Sequence, residues 1–130
     1  MKIKLKVMLI VAAIYWILNG LLGLFAPLSM VGVARDASTP MFLVMTMRFW
    51  GVANLPLGLI AWMVRNADAS KTRDAVVLGF TLFFAIQAPV SLYAHFVDPA
   101  SPHLIFAVLE ALIAVGFFLA GRSSKLTSAS

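Results

Sequence analysis

The chain has 130 residues, and its composition excludes most classes of soluble protein. Hydrophobic residues make up 62% of it and charged residues only 12%, against about 45–50% and about 25% in soluble domains. A soluble chain of this length buries roughly two-thirds of its surface, which cannot hide so much apolar side chain. The net charge is +5, yet we expect no nucleic-acid partner, and the absence of cysteine excludes disulfides and thiolate chemistry.

Four apolar runs follow one another, each near the ~20 residues that a helix needs to cross a bilayer. They cover residues 7–26, 41–64, 75–94 and 103–120. Only helices and closed barrels satisfy every backbone group in hydrocarbon, and long continuous runs favour helices. The sequence therefore predicts an all-α polytopic membrane protein, a single domain (1–130) folded as a four-transmembrane-helix bundle. Residues 122–130 are expected to form a short cytoplasmic tail.

Two turns carry capping signals. Ser38-Thr39-Pro40 offers a cap before the second helix, and Asp74 is positioned to cap the third. The lysine-rich start followed by an apolar run is similar to a secretory signal. However, the run is too long for a signal core, and no small-x-small cleavage site precedes Pro27. We therefore expect the first helix to be retained.

Basic residues are distributed unevenly between the turns. The side that holds both termini and the middle turn carries eight of them: Lys2, Lys4, Lys6, Arg65, Lys71, Arg73, Arg122 and Lys125. The opposite turns carry only Arg35. Because basic turns stay in the cytoplasm, this bias predicts that both termini are cytoplasmic (N-in/C-in).

Each predicted helix carries one strongly polar residue at a similar depth. Asn19, Arg48, Gln87 and Glu110 each lie seven residues from the outer end of their run, which is about 10 Å below the surface. Helical spacing adds further polar residues to the same faces, namely Tyr15 beside Asn19, Ser91 beside Gln87, and Asn54 on a stripe of small residues that includes Gly51. We therefore predict an intramembrane polar layer that opens to the outer side.

Arg48 and Glu110 have opposite charge and matched depth, so we predict that they form an ion pair inside the bundle. An isolated charge near the bilayer centre costs about 2.5–3.5 kcal/mol even on the lenient insertion scale. Three interpretations stay open. The pair is a structural element that fixes helix register, or it belongs to a substrate, ion or proton site, or Arg48 instead extends to the outer headgroups.

Two histidines, His95 and His103, lie near the outer ends of the last two helices. Histidine is suited to carrying protons, although interfacial side chains at helix ends are the simpler interpretation. Eight residues with two prolines separate them, which matches no regular ligand spacing. We therefore expect no metal site, and nothing in the sequence indicates a cofactor.

Three short motifs resemble a family of small bacterial membrane proteins. The segment Leu18-Asn19-Gly20-Leu21-Leu22-Gly23-Leu24-Phe25-Ala26-Pro27 resembles the first helix of DoxX-like proteins and of neighbouring uncharacterised four-helix proteins. Arg48-Phe49-Trp50-Gly51, followed by Leu57-Gly58-Leu59, is similar as well. The segment that contains Asp98, His103 and Glu110 is similar to the last loop and helix of the uncharacterised group. The resemblance covers about residues 7–121. It implies a four-helix inner-membrane protein, in some cases a partner of redox-linked enzymes, and it assigns no cofactor site.

Three classes of function are compatible with these patterns, and enzymatic activity stays undecided. The leading hypothesis is an accessory or interaction subunit of a membrane complex, with a membrane-protein partner or a second copy of the chain. The second is a membrane-embedded enzyme or binding protein for a lipophilic small molecule, with Glu110 as acid or base and Arg48 as anion stabiliser. His95 or His103 would then carry protons. The third is a proton or small-solute carrier.

Overall fold

A computed structural model of the chain describes residues 4–29, 36 and 38–128, with side chains up to Ser123. Within this part of the chain the secondary structure consists of four long helices, α1 (Leu5–Phe25), α2 (Met41–Val64), α3 (Lys71–Val97) and α4 (His103–Ser128). Each of them contains a segment long and apolar enough to cross a membrane. The prediction of an all-α protein with four candidate membrane spans is confirmed.

The helix boundaries differ from the predicted ones mainly at α3 and α4. The prediction that Asp74 caps α3 is wrong, because Ser70 is the N-cap and its hydroxyl accepts a hydrogen bond from the Arg73 amide at 3.1 Å. α3 therefore starts four residues earlier than predicted. Pro40 precedes α2 without a side-chain cap, so the Ser38-Thr39 hydroxyls do not serve there. α4 continues through the predicted tail to Ser128.

Glycines hold α1 and α2 at a very short distance. A Cβ atom on Gly23 would lie 2.7 Å from the Cα of Gly51, and one on Gly51 would lie 2.7 Å from the carbonyl oxygen of Gly20. Both neighbours are backbone atoms, which cannot move aside as a flexible side chain can. The predicted small-residue stripe of α2 thus faces inward, and it brings two helix backbones into direct contact.

An aromatic core fills the middle of the bundle. Trp16 is completely buried, and its ring packs against Phe80 and Phe84 at centroid distances of 4.5 and 4.9 Å. Phe84 stacks in turn on Phe117 of α4 at 6.2 Å. These rings connect α1, α3 and α4. Buried aromatic pairs contribute strongly to packing energy, so this cluster is expected to hold the three helices together.

The outer surface of all four helices is apolar. Phe25, Phe42 and Phe96 are between 74% and 82% exposed, and many Leu, Ile and Val side chains are exposed as well. A soluble monomer rarely exposes contiguous apolar patches of this extent. The surface is therefore compatible with a lipid environment.

The two ends of the bundle differ in charge. At one end, here called the basic end, Lys6, Arg65 and Arg73 line a common cavity. The opposite end, here called the histidine end, contains the last turn of α3 with His95 and the first turn of α4 with His103. The predicted charge contrast also rested on Lys2 and Arg35, which lie outside the described residues.

The glycine contact predicts a strong position dependence of Gly→Ala substitutions. Gly51→Ala forces α1 and α2 apart and should lower the free energy of unfolding by about 1–3 kcal/mol, as overpacking does elsewhere. Gly79→Ala is the matched control, because a Cβ at Gly79 meets no atom within 4 Å. In that open position alanine should stabilise the helix by ~0.5–1 kcal/mol. Thermal denaturation in mild detergent measures both, and equal effects would contradict the close contact.

Candidate functional site

A cavity of about 220 Å³ lies between all four helices and extends from the histidine end towards the aromatic core. Its polar lining consists of six side chains: Tyr15, Asn19, Gln87, Ser91, His103 and Glu110. Four of these were predicted to form the polar layer, and His103 was a predicted site candidate. We refer to this space as the Glu110 cavity.

Glu110 is the central group of the cavity, and its carboxylate is almost fully buried. Only 2% of the residue is exposed. The Tyr15 hydroxyl donates a hydrogen bond to Oε1 at 2.5 Å, and the Ser91 hydroxyl donates one to Oε2 at 2.6 Å. An ionised carboxylate accepts about four hydrogen bonds, so its acceptor capacity is only half used. Because hydroxyl groups also accept, the same three residues can hold a protonated carboxyl group.

Helical spacing explains why these side chains meet. Tyr15 and Asn19 are four residues apart on α1, and the Asn19 amide donates to the Tyr15 backbone carbonyl at 2.7 Å. Gln87 and Ser91 have the same spacing on α3. The Tyr15 ring also packs edge-to-face on Phe84 at 5.3 Å, which fixes the direction of its hydroxyl.

The apolar lining is aromatic on two sides. Trp50 of α2 and Phe106 of α4 line the cavity together with Met47. Trp50 stacks on Phe83 of α3 at 6.5 Å, so its position is supported from outside the cavity. The Glu110 carboxylate therefore shares its space with aromatic rings as well as with the polar side chains.

The predicted ion pair between Arg48 and Glu110 is not formed. Arg48 is exposed on the surface of α2, and the described residues contain no salt bridge to Glu110. The physical reason is helix geometry, because successive residues point about 100° apart. Met47 faces the cavity and Gly51 faces α1, which directs Arg48 away from the cavity. Tyr15 and Ser91 occupy the place that the prediction gave to Arg48.

Two further predicted residues lie outside the cavity lining. Asn54 is buried, and its amide nitrogen donates to the Trp50 backbone carbonyl at 2.7 Å. Among the described residues its Oδ1 has no hydrogen-bond partner. His95 is half-buried beside Phe96 at a ring distance of 6.0 Å. Of the two histidines, His103 lines the Glu110 cavity and His95 does not.

Ser91 is the site residue that sequence reasoning placed on the right helix face without assigning it a role. Its position four residues after Gln87 was the available signal. Serine is common in membrane helices, however, and the sequence does not show that its hydroxyl reaches Glu110. In the part of the chain that the structure describes, no three His, Asp or Glu side chains come together to hold a metal ion.

Comparisons with protein-family models, with curated proteins and with solved structures find no match to this chain. The resemblance to DoxX-like proteins therefore stays a prediction that rests on its three short motifs. The fold and the Glu110 cavity have to be interpreted from their own chemistry.

The hydrogen bonds to Glu110 predict a specific loss on Tyr15→Phe. The substitution keeps the ring on Phe84 and removes one of the two donors to a buried carboxylate, so we expect a loss of about 1–3 kcal/mol in unfolding free energy. Tyr93→Phe is the matched control, because Tyr93 is 71% exposed and should change stability by no more than about 0.5 kcal/mol. Thermal denaturation in detergent compares the two, and an equal response would show that the Tyr15 hydroxyl does not support Glu110.

Proposed function

We propose that the chain is a multi-pass membrane protein that binds a small organic cation with an apolar body in the Glu110 cavity. The observation that carries this proposal is a buried carboxylate that faces a cavity with aromatic walls and has no arginine or lysine partner among the described residues. With Arg48 exposed on the surface of α2, no arginine or lysine lines the cavity.

The charge of Glu110 favours a cationic ligand. A carboxylate in a low-dielectric environment is stabilised by hydrogen bonds and by an opposite charge. Tyr15 and Ser91 supply hydrogen bonds but no charge. An ammonium group would supply both, because the carboxylate still has acceptor sites that these two hydroxyls leave unused.

The walls of the cavity support the same class of ligand. Trp50, Phe106 and Tyr15 present aromatic rings, which attract cations through their quadrupoles by about 0.5–2 kcal/mol. Met47 adds a flexible apolar contact that adapts to different shapes. His103 also lines the cavity.

The membrane setting of the proposal follows from the surface and the charges. Four apolar helices with exposed apolar sides fit a bacterial inner membrane. The basic residues at one end favour an orientation with both termini in the cytoplasm. The Glu110 cavity would then lie on the side of the histidine end, facing away from the cytoplasm.

The other functional hypotheses stay predictions. An accessory subunit of a membrane complex, or a homo-oligomer, would form its protein interface with the same exposed apolar surfaces that lipid contacts. An enzyme would use Glu110 as acid or base, without Arg48 in the role of anion stabiliser. A carrier of protons or solutes would need the cavity to open alternately to both sides. Kinship with DoxX-like proteins is compatible with each of these.

The orientation predicts the result of a topology experiment. A reporter active only in the periplasm should be inactive when fused after Ser130 and active when inserted near Asp98. A reporter active only in the cytoplasm should give the opposite pattern. Periplasmic activity at Ser130 would contradict the proposed orientation.

Ligand binding can be observed at Glu110 itself, because it is the only glutamate in the chain. Selective ¹³C labelling of glutamate therefore gives a single side-chain carboxyl resonance. We expect benzylamine, which is charged at neutral pH, to shift this resonance in a saturable way. Benzyl alcohol, similar in shape but neutral, should bind at least ~10-fold more weakly, and phenylacetate more weakly still.

Two variants complete the binding experiment. In a ligand-observed NMR measurement Glu110→Gln should lose benzylamine binding. Asp68→Asn is the charge-matched control and should keep it, since Asp68 is exposed and lies at the basic end. Equal affinity for the amine and the alcohol, or unchanged binding by Glu110→Gln, would refute the proposed function.

A further inference from the structure

A second cavity, of about 240 Å³, lies at the basic end of the bundle. It is lined by the first turns of α1, the last turn of α2, the turn between α2 and α3 and the first turn of α3. The described residues that line it include three basic side chains, Lys6, Arg65 and Arg73, and no acidic one. Leu9 and Val64 form its apolar wall. We refer to it as the basic cavity.

The Nε–H group of Arg73 is a buried hydrogen-bond donor that has no acceptor in the described part of the protein. Its side chain is only 14% exposed. One terminal nitrogen donates to the Ala67 carbonyl at 3.3 Å, and the other lies 3.7 Å from the Asp74 carboxylate. Its Nε atom is buried without a hydrogen-bond partner among the described residues. Because an unsatisfied buried donor is costly, an acceptor brought by a ligand would be favoured here.

Arg65 is held in a fixed position beside the same cavity. Its guanidinium lies over the Trp62 ring at 3.7 Å from the centroid and also donates to the Trp62 backbone carbonyl. A guanidinium has five N–H groups, so this contact leaves donors for a ligand. Two arginines with restricted positions and one lysine therefore converge on one space.

The charges at the start of α3 oppose the local helix dipole. The N-terminal turn of a helix favours negative charge, yet α3 begins with Lys71 and carries Arg73 in its first turn. Asp74 offsets part of this charge. An anion in the basic cavity would offset more of it.

We infer that the basic cavity binds a phosphate group. The planar guanidinium groups of Arg65 and Arg73 match phosphate oxygens, and charge-assisted hydrogen bonds of this kind are the strongest in proteins. Val7 and Met63, close in the chain to the wall residues Leu9 and Val64, are exposed apolar side chains along which an acyl chain could lie. The phosphate belongs to an anionic phospholipid or to free inorganic phosphate, and both sources use the same groups. This site is independent of the Glu110 cavity.

The test uses the full chain purified in mild detergent. Phosphatidylglycerol and phosphatidylcholine with identical acyl chains are titrated in native mass spectrometry, and inorganic phosphate is titrated by thermal shift. We expect phosphatidylglycerol to bind about fivefold or more tightly than phosphatidylcholine, whose choline group cancels the phosphate charge. Arg73→Gln should weaken this binding by a similar factor.

Lys71→Gln is the matched control, because it removes one positive charge from the same turn of α3 but Lys71 does not line the cavity. It should leave the lipid preference unchanged. If Arg73→Gln fails to fold, Lys6→Gln replaces it, since Lys6 is exposed and its loss leaves no buried group unpaired.

The outcomes separate the two sources of phosphate. If the preference for phosphatidylglycerol depends on Arg73 or Lys6, the basic cavity binds phosphate and the phosphate belongs to a lipid. If inorganic phosphate stabilises the protein with the same dependence, the cavity binds free phosphate. Equal binding of both lipids without a response to phosphate, or equal effects of the cavity variants and Lys71→Gln, would overturn the inference.

Discussion

The burial of one carboxyl group constrains the arrangement of three helices. Glu110 of α4 lies inside a bundle whose surroundings are apolar, and a lone carboxyl group there is stable only with hydrogen-bond partners. Tyr15 of α1 and Ser91 of α3 supply them, at 2.5 and 2.6 Å. The register of α1 and α3 against α4 is therefore tied to these two bonds, and the cavity forms around them.

A second constraint, the glycine contact between α1 and α2, determines which residues of α2 reach that cavity. Gly51 meets the backbone of α1, which turns Met47 and Trp50 towards Glu110 and Arg48 away from it. A charge that looks like the partner of Glu110 in the sequence is thereby placed at the surface. The site is a cavity with a buried carboxylate and aromatic walls instead of an ion pair, and the proposal of cation binding rests on this arrangement.

The sequence predicts the four helices, because long apolar runs leave few alternatives in hydrocarbon. It also predicts most of the polar lining, since Asn19, Gln87 and Glu110 lie at one depth in their helices and Tyr15 shares a helix face with Asn19. It does not predict the partners within the layer. Depth follows from position along a helix, whereas contact depends on helix rotation, and a rotation of about 100° separates Met47 from Arg48. The use of Ser91, and the start of α3 at Lys71, depended on single hydroxyl groups that no periodic pattern reveals.

The central claim is that Glu110 is supported by hydroxyl groups and is independent of Arg48. The single glutamate resonance tests this directly in the ligand-free protein, labelled with ¹³C at the side-chain carboxyl. The account predicts that Tyr15→Phe and Ser91→Ala each shift this resonance, and that Arg48→Met leaves it unchanged. A shift caused by Arg48→Met, together with no response to either hydroxyl substitution, would contradict it.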